Sequence, residues 1–527
     1  MRLSKPNRSA ATLTRTRVPD VNPSSGLCVT CLVGCPGLCE VGRSAIRGRE
    51  VIYPAPFGSI TVGAEKDYPV DFSHFQIMGT TVGAVGVEED PDAAIFPNVS
   101  VETAIGGDGG PEIRLRLPVV IPGLGSTDIA KRFGEAIYAG AALSGIVCVV
   151  GENVCAMDPE AEIRDGQVRR SPDMEKRVNS FKRWFDGKYG GIAVQVNVED
   201  YRLGVHRYVI ESLGVEAIEI KWGQGAKDIG GEVKLPTLER ALQLKERGYL
   251  VLPDPEEPAV QEAAKAGLIK EFERHSRVGM VSEEAFMKQV EEIRDAGAKY
   301  VFLKTGAYRP RDLALALKLS SEAGIDLLTV DGAGGGTAMS PWRMMNEWGI
   351  PTVYLEALAY RYAQTLAEKG KRVPDIVIAG GLSLEDHVFK ALALGAPFVK
   401  AVGMARAPLT AVHVAETVAS SLEKGQVPKP YEKYGKSLEE VFYSAYELKQ
   451  KLGKEFEELP KGAIGLYTFL ERIKVGLQQL MCGARKFALE HLSREDIAAL
   501  TEEAARITGI KHIMEIDMEE AEKILSS

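Results

Sequence analysis

No run of about 18 apolar residues suited to crossing a bilayer interrupts this 527-residue chain. The basic start, Met1 to Arg17, also lacks the apolar core of a secretory signal. Neither a spanning helix nor an export signal is therefore expected, and the expected location is cytoplasmic. A basic excess is missing too: the formal net charge is -9, so neither nucleic acid nor an anionic membrane surface is an expected partner. Cysteine is sparse, seven in all with four inside twelve residues. That excludes a disulfide framework and suggests a metal site plus ordinary thiols. No GxGxxG follows a strand with an acidic residue about twenty positions on, so no built-in dinucleotide fold is expected.

What is present falls into four parts. Residues 1–24 are polar, rich in Arg, Ser and Thr and without an apolar stripe, as expected of a flexible basic tail or docking arm. Residues 25–116 hold the cysteine run and short strand-like pieces, Val51 to Tyr53 and Ser59 to Val62, in a small irregular domain. From Leu117 to about residue 425, short apolar runs alternate with longer amphipathic stretches, the pattern of βα units on a parallel sheet. Eight strands are predicted: Pro118 to Pro122, Ile146 to Val150, Ile192 to Val196, Ala217 to Lys221, Tyr300 to Lys304, Leu327 to Asp331, Ile376 to Gly380 and Phe398 to Val402.

Helices are predicted between them, among them Thr127 to Ala142, Val198 to Leu213, Glu283 to Ala296, Arg311 to Ala323 and Leu384 to Leu394. The series makes an α/β chain with a (β/α)8 TIM barrel. A charged, Pro-containing insertion, Lys234 to Val281, lies between the fourth and fifth strands, where it would shape the site. Residues 426–527 are Lys/Glu-rich and read as a helical extension over Leu438 to Lys451, Ala463 to Met481 and Arg494 to Ile507, serving as a cap, docking surface or oligomer contact.

The run Cys28-Val-Thr-Cys31-Leu-Val-Gly-Cys35-Pro-Gly-Leu-Cys39 sets four thiolates in a loop broken by Gly and Pro. Four such ligands suffice for one [4Fe-4S] cluster. Zinc also accepts four cysteines, although its usual arrangement is two knuckles separated by a longer loop. Cys148, Cys155 and Cys482 have no companion at ligand spacing and are expected to pack as core thiols, Cys155 lying nearest the site face.

A flavin mononucleotide (FMN) site in a barrel needs a backbone-rich phosphate cradle, polar contacts along the ring and a cation near the pyrimidine end. Gly380-Gly381 follows the seventh strand and Gly403 the eighth, where barrel loops commonly hold phosphate against a helix N-terminus. The loop from Asp331 to Pro341 carries four glycines after the sixth strand, suited to close backbone approach. Lys221 and Lys304 end the fourth and fifth strands, so both should face the same mouth.

With those residues in view, Leu117 to Ala407 resembles the FMN domain of glutamate synthase, in particular the short archaeal-type form with an N-terminal iron-sulfur segment. Weaker similarity runs through Gly465 to Leu500. Gly123-Leu-Gly-Ser126 matches the family's GAMS turn, Lys221-Trp-Gly-Gln-Gly-Ala-Lys227 its K-x-x-Q-G-A-K segment, the Asp331 to Pro341 loop its DGGTGASP, and Glu152 the Glu of its N-T-G-E-G-G loop. The resemblance implies FMN contacts from Gly123, Ser126, Lys304, Asp331, Gly332, Gly380, Gly381, Gly403 and Met404. It places Glu152, Lys221, Gln224 and Lys227 near the flavin and a 2-oxoglutarate or iminoglutarate site, and a [4Fe-4S] cluster on Cys28, Cys31, Cys35 and Cys39.

Three departures accompany the match. The family's K-P-G-E-G-G-Q-L-P continuation stands here as Lys227-Asp-Ile-Gly-Gly-Glu-Val-Lys-Leu-Pro236. No cysteine lies between Cys155 and Cys482 to carry the [3Fe-4S] cluster of the large enzymes, and no glutaminase domain is evident. The implied reaction is reduction of 2-iminoglutarate, formed from 2-oxoglutarate and ammonia, to glutamate. Its implied partners are a 2-oxoglutarate-like substrate, a ferredoxin or pyridine-nucleotide oxidoreductase subunit as electron source, and a glutaminase-like subunit, in an oligomer or complex. A methylamine-glutamate N-methyltransferase-like subunit and an electron-transfer subunit without substrate turnover are the alternatives.

Overall fold

The computed structural model describes residues 40–53, 64, 66–87, 90–106, 110–335 and 340–527. The cysteine run and the strand expected over Ser59 to Val62 lie outside them, as do positions 336–339 of the glycine-rich loop.

Eight parallel strands close into a barrel: β1 (Val119–Leu124), β2 (Val147–Val150), β3 (Gly191–Val196), β4 (Ala217–Lys221), β5 (Tyr300–Thr305), β6 (Leu327–Asp331), β7 (Asp375–Ala379) and β8 (Val399–Gly403). Each overlaps a strand expected from the apolar runs. Closure is made by β8 on β1, with Val402 opposite Val119 and Gly403 opposite Val120. The strands are nearly all apolar because both faces are covered. One face looks into a barrel core that includes Val120, Val149, Phe302, Leu327 and Val377, and the other packs on the helices.

The helices that follow are α1 (Asp128–Ser144), α2 (Pro172–Trp184), α3 (Val205–Glu211), α4 (Glu283–Asp295), α5 (Pro310–Glu322), α6 (Thr352–Glu368), α7 (Glu385–Gly395) and α8 (Arg406–Glu423). Helix α1 begins where the Thr127 side chain accepts from the Ala130 N–H, and it stops at Gly145 in a left-handed conformation. The helix expected over Val198 to Leu213 is two pieces, Val198–Arg202 and α3, because Gly204 adopts φ +67 between them.

Below the barrel, an antiparallel pair, Thr103–Gly106 with Glu112–Leu115, contributes Ile105, Ile113 and Leu115 to the barrel core and plugs its N-terminal end. At the opposite rim the insertion folds as a three-stranded antiparallel sheet, with Phe272–His275 between Glu232–Leu235 and Leu250–Leu252. Helix α9 (Lys461–Gly483) packs on α1 and α8.

Two local expectations are corrected. Residues Val51 to Tyr53 are not a strand: Gly48–Ile52 is a 3-10 turn. Residues Arg494 to Ile507 are not one helix. Ile497–Ala499 is a strand paired antiparallel with Phe75–Ile77, and a helix resumes only at Glu502–Thr508. In both cases tertiary contacts outweighed local pattern. Among the described residues no helix is long and apolar enough to cross a membrane.

Candidate functional site

A cavity of about 500 Å³ opens at the C-terminal mouth of the barrel, the end at which barrel enzymes build their sites. Parallel pairing puts the strand-end residues there. Lys221 lies directly opposite Lys304 in the β4–β5 register, and Asp331 is opposite Ala379 in β6–β7. Gly123, Ser126, Glu152, Lys221, Gln224, Lys227, Lys304, Asp331, Gly380, Gly381 and Gly403 all line this one cavity. Gly332 and Met404 are not among its lining residues. Gly332 donates its N–H to Ala379 O at 2.8 Å, while Met404 is wholly buried and donates to Val120 O at 3.0 Å.

The glycines have an additional packing role. A Cβ on Gly225 would lie 2.1 Å from Gly332 O, and Gly380 combines φ +123 with Gly332 O at 2.7 Å from its missing Cβ. Loops after β4, β6 and β7 therefore stack backbone on backbone, which only residues without a side chain permit.

The charged groups form two nests. Lys221 Nζ donates to Glu152 Oε1 at 2.5 Å and to Gln224 Oε1 at 2.8 Å. Burial works to raise the Glu152 pKa, but the adjacent Lys221 ammonium outweighs it and holds the carboxyl below its usual range. Lys304, only 6% exposed, lies 3.1 Å from Asp331 Oδ2. Burial disfavours its charge, yet Asp331 and Glu219 raise its pKa above the ordinary value, so it remains a cation. Lys227 is different: burial first, then Lys221 and Arg274, bring it down to about 8.

Several residues lining the cavity or packed behind its wall carried little or no sequence signal. Gln195, a buried amide within apolar β3, donates to Glu219 Oε1 at 2.5 Å and leaves its own Oε1 without a partner. Arg406 opens α8 and lines the cavity three residues after Gly403, a position its sequence neighbours could have indicated. Arg274, from the central strand of the insertion, is 2% exposed, and its Nε and Nη1 have no hydrogen-bond partner. Its guanidinium sits 4.7 Å from the Tyr249 ring centroid. The expectation that the insertion shapes the site covered Arg274 without singling it out from the insertion's other charged residues; the folding of the insertion is what brings it to the mouth. Behind these groups, buried Asp200 accepts from the Asn153 N–H at 2.9 Å, and burial followed by Glu152 pushes its pKa up to about 7.

FMN fits this donor set. The N-terminus of the 18-residue α8 with Arg406 suits a phosphate, and Lys304 lines the same cavity, while the Gln195 amide packs behind Gly123, whose missing Cβ would lie 2.9 Å from Gln195 Oε1. A buried guanidinium with unfilled donors beside Lys227 calls for an anion such as a carboxylate.

Residues 274–420 match the conserved region in glutamate synthase. The glutamate synthase large subunit-like protein of Rhizobium meliloti is 26% identical over 408 residues, 76% of this chain and 78% of that one. The archaeal-type glutamate synthase (NADPH) of Thermotoga maritima is 36% identical over 96 residues, 18% of each chain. The archaeal glutamate synthase (NADPH) of Methanocaldococcus jannaschii is 28% identical over 189 residues, 35% of this chain and 32% of that one. Among solved structures, a mutant flavocytochrome b2 with pyruvate bound aligns at TM-score 0.45 and 13% identity, covering 82% of this chain and 77% of that one.

Proposed function

From the premise that this chain belongs to the glutamate synthase family, we propose that it is an FMN-dependent oxidoreductase that reduces 2-iminoglutarate, formed from 2-oxoglutarate and ammonia, to glutamate. The observation that carries this reading is the meeting in one cavity of glycine-lined turns, Lys304 and Lys227 with Arg274, whose Nε and Nη1 have no hydrogen-bond partner. When bound, FMN supplies hydride chemistry at its N5. The chain's own residues do the rest. Arg274 and Lys227 hold substrate carboxylate, Gln224 orients Lys221 against Glu152, and the buried ammonium of Lys304 stabilises negative charge at the ring end.

The [4Fe-4S] cluster on Cys28, Cys31, Cys35 and Cys39 is part of the same proposal, as the entry point for electrons from a ferredoxin or a pyridine-nucleotide oxidoreductase subunit. The segment that follows those cysteines supports this placement. Arg49 pairs with Glu273 at 2.8 Å and Tyr53 bonds to Glu232, both on the insertion sheet beside the mouth. In the variant Cys35→Ala, iron and sulfide content should fall; unchanged content would sink the cluster.

The altered Lys227 to Pro236 segment favours a second reading, in which glutamate condenses with an amine as in methylamine-glutamate N-methyltransferase. Asp228 and Glu232 from that segment both line the cavity, two carboxylates suited to a cationic amine. One experiment separates the first reading from electron transfer without turnover. The anaerobic protein is photoreduced, and flavin reoxidation is followed after 2-oxoglutarate with ammonium is added. Reoxidation with glutamate formed supports the first reading. If 2-oxoglutarate has no effect while a redox partner protein reoxidises the flavin, the chain is an electron-transfer subunit.

A further inference from the structure

We propose that Arg177, a residue outside the cavity, is a positioning residue that turns the backbone after β1 so that its N–H groups face the flavin. The proposal rests on the FMN reading above. Arg177 sits on α2 and is 2% exposed. Its Nη1 donates to Leu124 O at 3.1 Å and to Gly125 O at 2.9 Å. The opposite edge of the guanidinium is held by Asp173 one turn earlier, Nε to Oδ1 at 3.1 Å and Nη2 to Oδ2 at 3.2 Å. Asp173 is anchored in turn: its N–H donates to Asp158 Oδ2 at 2.9 Å, the same oxygen that accepts from the Ser171 hydroxyl at 2.8 Å.

A trans peptide points its C=O and N–H in opposite directions. Drawing the carbonyls of Leu124 and Gly125 outward to Arg177 therefore directs the N–H groups of Gly125 and Ser126 the other way. Both residues line the cavity, and among the described residues neither N–H has an acceptor. Two adjacent free N–H groups form a nest for an electron-rich ligand edge. The turn has little slack on its other side, since a Cβ on Gly125 would lie 2.7 Å from Glu152 O. Arg177 thus fixes from behind the orientation of the donors that Gly123 to Ser126 present, without touching the ligand.

The test is titration of the full-length apoprotein with FMN by flavin fluorescence quenching, alongside the bound flavin's absorption spectrum and the melting temperature of the apoprotein. The double variant Arg177→Met with Asp173→Asn removes the clamp without leaving a buried charge unpaired. Its FMN dissociation constant should rise about tenfold or more, with an altered flavin spectrum and an apoprotein that still melts cooperatively above the assay temperature. Arg177→Lys, which keeps the charge but cannot reach both carbonyls and Asp173 in one plane, should fall between wild type and the double variant. An unchanged dissociation constant and spectrum in a folded double variant overturns the proposal. Should the double variant not fold, an Arg177→Lys protein that binds FMN as wild type does overturns it equally. A wild-type apoprotein that takes up no FMN would instead defeat the cofactor reading, and the clamp with it.

Discussion

Arg274 shows how much a single side chain can depend on the fold around it. A guanidinium at 2% exposure with two unfilled donors is costly to bury, and a carboxylate bound beside it would relieve that cost. Arg274→Met should therefore raise KM for 2-oxoglutarate by about tenfold or more, the worth of one charge-assisted bond, with a smaller effect on flavin binding. Steady-state kinetics and FMN titration check this, and an unchanged KM would remove Arg274 from the substrate site.

Asp200 makes the matching argument in pH. Its folded-state value of about 7 lies above the ordinary value of about 3.9 for an unfolded Asp. Between those values the folded chain holds a proton that the unfolded chain has released, so stability is lost as pH rises through the window. Asp200→Asn should flatten that decline by about 1 kcal/mol or more, measured as melting temperatures at pH 5 and pH 8. A pH dependence identical to wild type would mean that Asp200 stays ionised. Lys227 adds a dependence of function in the same direction. Its cationic form is lost above about 8, so carboxylate affinity that depends on it should weaken as pH rises through that value.

At the scale of elements, the eight strands were legible because a strand covered on both faces must be apolar nearly throughout, and the short runs between amphipathic stretches left no other assignment. What local pattern could not reveal were elements set by distant partners. Ile497–Ala499 is a strand because Phe75–Ile77 lies alongside it, and Gly48–Ile52 turns where a strand was expected. In the C-terminal extension only Ala463 to Met481 was legible as a single helix, since Leu438 to Lys451 is two pieces, Leu438–Val441 and Ala445–Leu452, and the role of α9 as a wall against α1 and α8 was not legible. Within α9, a Cβ on Gly465 would sit 2.3 Å from Ala415 Cβ and 2.7 Å from Ala411 O, so α9 and α8 touch along their backbones. Gly465→Leu should cost about 1–3 kcal/mol through overpacking, seen as a lower melting temperature. Because α8 begins at Arg406 on the cavity, FMN affinity should fall with it. A melting temperature equal to wild type would show that the helices can part without penalty.

For the whole molecule, the barrel is closed at one end and open at the other, and the two ends have different duties. The pair Thr103–Gly106 and Glu112–Leu115 plugs the lower end with Ile105, which is fully buried against the barrel core. Ile105→Ala should destabilise the protein by about 2–5 kcal/mol, measured by denaturant unfolding, while leaving FMN affinity of the folded protein unchanged. A large change in flavin binding would show that the two ends are coupled. The upper end is built from loops, and the insertion that follows β4 supplies Val233, Arg274 and Arg277 to its wall.

The sequence by itself determined the barrel, the order of its strands and the cluster of lysines, glycines and carboxylate at one mouth. Parallel βα units bring every strand end to the same face, so Lys221, Lys304, Asp331, Gly380 and Gly403 could be placed together from strand positions alone. The Gly123 to Ser126 turn, Glu152, Gln224 and Lys227 followed from the resemblance in the same way. The tertiary structure alone decided what completes that mouth. Arg274 reaches it through an antiparallel sheet whose pairing has no counterpart in local periodicity, and Arg177 acts on it through two backbone carbonyls from behind the wall. Contacts of that kind depend on where separate elements pack, and neither residue type nor spacing along the chain encodes them.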